Sequence, residues 1–295
     1  MLLNKIGGGM KKLITRITLL FAAVPLLAAS PASATGLSYF SDFGSQPATN
    51  LFFTEYEGGV GTSGQACGTD ACATFETAGN RDFMKITVNP SATPGFYQNV
   101  DATQVDINVP NPTNSGPYTA TYGHPVTMEA KIKWSHNYDL YGLSDAQGTS
   151  GVVLWNSALD GPNGDVTLDF DQIGFGWNSV DFADGELAGF NAASYVDQVP
   201  VGFSRPSAPI DIHGWIKVKM VWSENASGVQ SVAYYADGQY LGTQELPVNL
   251  EGMSLVTWND NQEPYYCEEE GVCWSFPNPN QPQSFYVDYV KVTQE

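Results

Sequence analysis

The sequence predicts an all-β sandwich of one domain, and three observations carry that prediction. Almost no segment has helical period; apolar and polar residues instead alternate with a period of two. Short clusters of Gly, Pro, Asn and Asp separate these runs at the spacing of a many-stranded sandwich. No Pro/Ser linker, charge block or internal repeat divides residues 35–295, a stretch long enough to bury one sizeable core.

The chain opens with the parts of an export signal. Lys11, Lys12 and Arg16 form a basic region, Ile17 to Ala29 an apolar run, and Ala32-Ser33-Ala34 a small-x-small cleavage pattern. The run is shorter than the ~20 residues a membrane-spanning helix needs, and no Cys follows it to carry a lipid. The expectation is a signal peptide over residues 1–34, with Met10 a more natural start than Met1. A secreted or periplasmic protein without a membrane anchor would follow.

Strands follow in order. Phe83 to Val88 alternates after a Gly79-Asn80 turn. Val126 to Trp134 puts Val, Met, Ala, Ile and Trp on one face and Thr, Glu, Lys and Lys on the other. Val152 to Trp155 is a short apolar run suited to a buried strand, and Asp165 to Ile173 alternates again. Trp215 to Trp222, Val229 to Tyr235 and Tyr240 to Gln244 read as consecutive strands, the last two joined by Asp237-Gly238, a strong two-residue hairpin signal. Asn259 to Gln283 reads as a long loop, and Phe285 to Val292 as the closing strand.

Four cysteines, Cys67, Cys72, Cys267 and Cys273, read as disulfides in an exported chain. Three pairings are open; the local pairs Cys67–Cys72 and Cys267–Cys273 are the expected ones and would stiffen small loops. A zinc site is the rival reading, and the ligand spacing argues against it.

The whole chain has a net charge of −19. Beyond residue 34 it holds eight basic against 31 acidic groups, a net charge near −23. Such a surface repels nucleic acid, anionic lipid and anionic polymers at long range and keeps the protein soluble. It disfavours acidic substrates such as alginate or pectate. A monomer is expected.

Several segments in the later part of the chain share a pattern. His213-Gly214-Trp215, Lys217-Val218-Lys219, Trp222, Tyr234-Tyr235-Ala236-Asp237-Gly238 and Leu241-Gly242-Thr243 resemble the central pattern of concanavalin A-like jelly rolls. Val287-Asp288-Tyr289-Val290-Lys291-Val292, Met128-Glu129-Ala130-Lys131-Ile132-Lys133 and Val153-Leu154-Trp155 resemble strands of family 16 glycoside hydrolases. The likeness covers roughly residues 126–292. It implies a jelly-roll β-sandwich of two antiparallel sheets, with a concave sheet that meets a polysaccharide.

In that family the strand after the apolar one carries Glu-x-Asp-x-Glu. Laid on Gly164 to Asp171, the pattern matches Asp165 to the nucleophile, Thr167 to the middle Asp and Asp169 to the acid/base, so all three positions are changed. Side chains at i and i+2 share a strand face, which would place Asp165, Thr167, Asp169 and Asp171 together. A retaining pair needs carboxyls about 5–5.5 Å apart and an inverting pair about 6.5–9.5 Å, and Asp is one methylene shorter than Glu. The competing account is a solvated strand face or a cation site.

Sugar sites pair flat aromatic faces with a few polar groups. Trp134, Trp155, Trp177, Trp258 and Trp274 are aromatic candidates, as are Tyr138 and Tyr141; Trp177 with Asn178 beside it is the leading platform, and Trp155, Trp134, Glu129 and Trp274 complete the expected substrate-binding set. Each Trp has core packing as its alternative, and for Trp215 and Trp222 core packing is the preferred reading. By resemblance Asp288 would hold a structural calcium ion, with carbonyls near Gly58-Gly59. Three functions stay open: a lectin-like glycan-binding protein with a degenerate hydrolase site, an endo-acting glycoside hydrolase working through Asp165, Asp169 and Asp171, or a structural surface protein of the same fold.

Overall fold

A computed structural model describes residues 37–43, 51–57, 60–63, 71–92, 95, 98–104, 117–157, 170–179, 188–197, 199–267 and 271–295. In chain order the strands are β1 (Leu37–Ser41), β2 (Leu51–Glu57), β3 (Val60–Ser63), β4 (Ala71–Ala78), β5 (Arg81–Val88) and β6 (Gln98–Gln104). Then come β7 (Val126–Trp134), β8 (Thr149–Ser157), β9 (Phe170–Asn178), β10 (Gly189–Val196), β11 (Val199–Ser204) and β12 (Ile216–Glu224). The last are β13 (Gln230–Ala236), β14 (Gln239–Glu245), β15 (Ser254–Asp260), β16 (Glu263–Cys267), β17 (Gly271–Ser275) and β18 (Gln283–Gln294). All of them fall in one compact unit, Thr35–Glu295.

Two sheets contain most of these strands. Sheet A runs β14-β13-β12-β7-β18-β5-β4, with β1 added to β18; sheet B runs β11-β10-β9-β8-β15-β6-β2-β3. β16 and β17 form a separate hairpin. The pairings between these strands are antiparallel. Strands far apart in sequence are neighbours: β18 lies between β7 and β5, and β15 between β8 and β6. This is a jelly-roll β-sandwich of the concanavalin A-like type, as the motifs implied.

Alternation builds the core. Val126, Met128, Ala130, Ile132 and Trp134 of β7 are buried, as are Ile216, Val218, Met220 and Trp222 of the neighbouring β12. In β18 the buried set shifts from Phe285 and Val287 to Val290 and Val292, because a bulge falls between Val287 and Tyr289. Sheet B answers with Val152 and Leu154, Ile173, Phe175 and Trp177, Phe190 and Ala192, and Leu255. Asp237 and Gly238 both take positive φ in the β13–β14 hairpin, the conformation of a type I′ turn.

Several polar side chains between the sheets are held by hydrogen bonds. Trp134 Nε1 donates to Ser150 Oγ at 2.7 Å. Tyr138 Oη donates to Asn259 Oδ1 at 3.1 Å, and Asn259 Nδ2 donates to the carbonyls of Ile86 and Gln283, both at 3.0 Å. Asn259 is thus a cross-link from β15 to β5 and β18. The segment Asn259 to Gln283, expected as one loop, begins inside β15 and contains the β16–β17 hairpin. Cys72, in β4, is disulfide-bonded. Cys67 lies outside the described residues, as do the side chains of Cys267 and Cys273.

Candidate functional site on the outward face of sheet B

Strand register defines this face. Across β9, β8, β15 and β6 its successive rows begin with Gln172–Trp155–Ser254, then Gly174–Val153–Val256–Thr103. Next comes Gly176–Gly151–Trp258–Asp101, and last the pairs Asn178–Thr149 and Asp260–Asn99, linked by the hydrogen bond from the Thr149 amide to Asp260 Oδ1. Val153 and Val256 are 1% and 3% exposed although they point away from the core, so neighbouring groups cover them.

The third row is an aromatic platform. A β-carbon added to Gly151 would stand 2.7 Å from Trp258 Cη2, and one added to Gly176 3.7 Å from the same atom. Two adjacent strands without side chains therefore let the indole lie across their backbones. Its orientation is fixed from the other end: Trp258 Nε1 donates to Thr149 Oγ1 at 2.8 Å, and Thr149 Oγ1 donates to Asp260 Oδ1 at 2.9 Å. Trp155 stands on the same face, half-buried. Its position is four residues along the sheet from the Trp258 row, roughly 13 Å at the rise of a strand.

Two carboxyls flank the platform. Asp101 is the cross-strand partner of Trp258, and Asp260 is diagonal to Asp101, partnered with Asn99. Diagonal neighbours have β-carbons about 7–8 Å apart or somewhat less. Burial pushes Asp101 up to about 7 against the pull of an Asn99 hydrogen bond. Burial likewise pushes Asp260 up to about 7, and the Asp101 charge adds to it, against hydrogen bonds from Gln262 and Thr149. The Thr149 and Gln262 amides reach Asp260 Oδ1 at 2.8 and 3.0 Å. Asn99 Oδ1, in the same corner, is buried with no hydrogen-bond partner among the described residues. Near neutral pH this corner offers two carboxyls able to give or take a proton, one open acceptor and an aromatic surface.

The structure separates the residues that the sequence grouped. Asp165 and Asp169 lie outside the described residues. Asp171, the second residue of β9, accepts from the Asp197 amide at 3.1 Å, tying down the β10–β11 turn, and burial raises its pKa. The described outward positions of β9 are Gln172, Gly174, Gly176 and Asn178, with no carboxylate among them. Trp177 faces the opposite way: it is fully buried, edge-on to Tyr138 at 4.7 Å, with Nε1 donating to the Asp139 carbonyl at 2.6 Å. Trp134 is likewise core, so neither is a sugar platform. Glu129 belongs to sheet A, where it pairs with Lys217 at 2.5 Å. Asn178 sits at the end of β9 opposite Thr149, near the carboxyl corner. The side chain of Trp274 lies outside the described residues.

The surroundings of Asp288 do not fit calcium. Its carboxylate lies between Arg81 Nε at 3.3 Å and Lys131 Nζ at 3.4 Å, so an added cation would meet two positive charges. Gly58 and Gly59 lie outside the described residues. Among the described residues no group of three or more His, Cys, Asp or Glu is placed to hold a metal ion.

Sequence reading did not single out Asp101, Asp260 or Asn99. The signal for β6 was present, since Val100 and Ala102 alternate with Asn99 and Asp101. Asp260 gives no such signal, because Asn259 to Gln283 reads as a loop in sequence.

No protein-family model matches the chain, and no curated protein matches it. Solved structures do. A 1,3-α-1,4-β-D-galactose-4-sulfate-3,6-anhydro-D-galactose 4 galactohydrolase matches with a TM-score of 0.50 and 13% identity over 91% of this chain and 98% of that one. The κ-carrageenase of Pseudoalteromonas carrageenovora, in complex with an oligotetrasaccharide of κ-carrageenan, gives 0.48 and 14% over 91% and 100%. A Bacillus licheniformis β-glucanase gives 0.47 and 15% over 88% and 100%. At such identities the likeness is one of fold.

Proposed function

We propose that this is an exported protein that binds a neutral polysaccharide on the outward face of sheet B. The observation that carries the reading is the Trp258 indole laid over Gly151 and Gly176, with Trp155 further along the same face. A rigid aromatic plane beside a few polar groups is how proteins hold sugar rings. The fold shared with a galactohydrolase agrees with a polysaccharide as ligand. The test is affinity electrophoresis in β-glucan gels: Trp258→Ala is expected to lose retardation, and unchanged retardation rejects the platform.

One observation favours a second reading, hydrolysis. Asp101 and Asp260 are diagonal neighbours beside the platform, and each holds its proton to about pH 7. A general acid needs such a raised pKa. Asp260 is held by Thr149 and Gln262, which leaves Asp101 as the freer group. Release of reducing ends from β-glucans that Asp101→Asn abolishes, with retardation intact, would make the protein an enzyme; no release leaves it a binder.

A further inference from the structure

The positive charge of this acidic chain is collected on one surface. Of the eight Lys and Arg beyond residue 34, seven stand at outward positions of sheet A. Arg81 and Lys85 come from β5, Lys131 and Lys133 from β7, Lys217 and Lys219 from β12, and Lys291 from β18. Register makes them neighbours: Lys131 is opposite Lys217, Lys133 opposite Tyr286, which in turn is opposite Lys85, and Glu129 is flanked by Lys219 and Lys291. The acids on this face are mostly used up. Glu76 pairs with Lys85 at 3.4 Å, Glu129 with Lys217, and Asp288 with both Arg81 and Lys131. Lys133, Lys219 and Lys291 have no ion pair among the described residues.

Two places on this face bring cationic groups together. One is a cavity of about 230 Å³ lined by Lys217, Lys219, Val221, Tyr235 and Gly238. The other is the Trp215 ring, half-buried on this face and not in the core, where the Arg81 guanidinium lies 5.2 Å and the Lys133 ammonium 4.9 Å from the centroid. Lys133 also lies 4.5 Å from the Tyr286 ring. Burial and the Arg81 charge both work against its ammonium and lower its pKa, a cost that an incoming anion would relieve. Rings already capped by cations are poor platforms for nucleobases, which need free aromatic faces.

We propose that the outward face of sheet A is a second binding site, for an acidic polysaccharide. Its anionic groups would seat in the Lys217–Lys219 cavity and between Lys133 and Arg81. The net charge excludes polyanions only on average. At about 0.1–0.15 M salt the Debye length is about 8–10 Å, which screens the distant acids and leaves the local lysines effective. The site does not depend on the sheet B reading, since the outward faces of the two sheets point in opposite directions.

The experiment is binding of fluorescent dextran sulfate and of alginate to the full protein at 0.15 M NaCl, with uncharged dextran as control. Saturable binding of at least one polyanion is expected, and the tighter arm identifies sulfate or carboxylate as the preferred group. Lys219→Gln, on the cavity wall, and Lys133→Gln should each weaken it several-fold and together at least tenfold, at unchanged melting temperature. Arg205→Gln, off this face, should leave it unchanged, and saturating β-glucan should not displace it. Four results would overturn the proposal: no binding of either polyanion, displacement by β-glucan, equal or tighter binding of duplex DNA, or salt-dependent self-association as the only property the lysine variants change.

Discussion

Trp258 lies against Gly151 more closely than any side chain at that position would permit: a β-carbon there would be 2.7 Å from Cη2 of the indole and would also run into the Phe175 carbonyl oxygen. The platform is therefore specified by two residues on neighbouring strands, and only one of them is aromatic.

Gly151→Ala is expected to lift the indole and weaken β-glucan binding with Trp258 still present. Its stability cost should be about 1–3 kcal/mol, the usual range for overpacking. Isothermal titration beside a melting curve separates the two effects, and wild-type affinity in a folded Gly151→Ala variant would show that the indole does not need the glycine.

The buried carboxyls give a signed pH dependence. Folded Asp101 and Asp260 keep their protons up to about pH 7, whereas the ordinary Asp value is 3.8. Between those values the folded chain binds more protons than the unfolded one, so their contribution to stability falls as pH rises through that window and is flat above it. In Asp260→Asn the amide oxygen can still accept from Thr149 and Gln262, but the group cannot ionise. Its melting temperature should drop less than that of the wild type between pH 5 and pH 8, and the variant should be the more stable at pH 8 by on the order of 2–4 kcal/mol. Parallel pH profiles would rule out a neutral Asp260.

Asn259 is expected to be among the costliest single losses in the core. Asn259→Ala takes from the Tyr138 hydroxyl one of its two partners, Ser150 being the other, and removes the side-chain donor to the carbonyls of Ile86 and Gln283, at about 1–3 kcal/mol for each buried group left unsatisfied. Urea unfolding should show a loss of at least about 3 kcal/mol. A loss under 1 kcal/mol would mean that water replaces the amide.

Mass spectrometry of protein recovered from the medium or periplasm is expected to find an N-terminus at Thr35. The unreduced chain should carry Cys67–Cys72 and Cys267–Cys273. An intact residue 1–34 segment would reject export by cleavage, and a Cys72–Cys267 link would reject local pairing.

The fold was readable because alternation is a property of each strand alone. Val126 to Trp134 needs no knowledge of β12 or β18 to show which face is buried. The site was not readable for the opposite reason. Asp101, Trp258 and Gly151 come from three strands, and only sheet order places them in one row. Trp177 misled because position along a strand was weighed above parity, which puts it with Ile173 and Phe175 in the core. Asp288 misled in a similar way, since no strand discloses the two cations that flank it. Net charge misled by being a sum, which cannot reveal that seven cations share a face.

The bulge in β18 has a separate consequence. Without Asp288 the closing strand would read Val287 inward, Tyr289 outward, Val290 inward and so on, in unbroken alternation on both sides of the gap. Asp288 is thus a supernumerary residue, inserted without throwing its neighbours out of phase. A one-residue deletion here is accordingly expected to be gentler than deletions elsewhere in β18, each of which would turn half the strand inside out. It would also release Arg81 and Lys131 from their shared counter-ion, so that chain length at this point sets the charge of the outward face of sheet A.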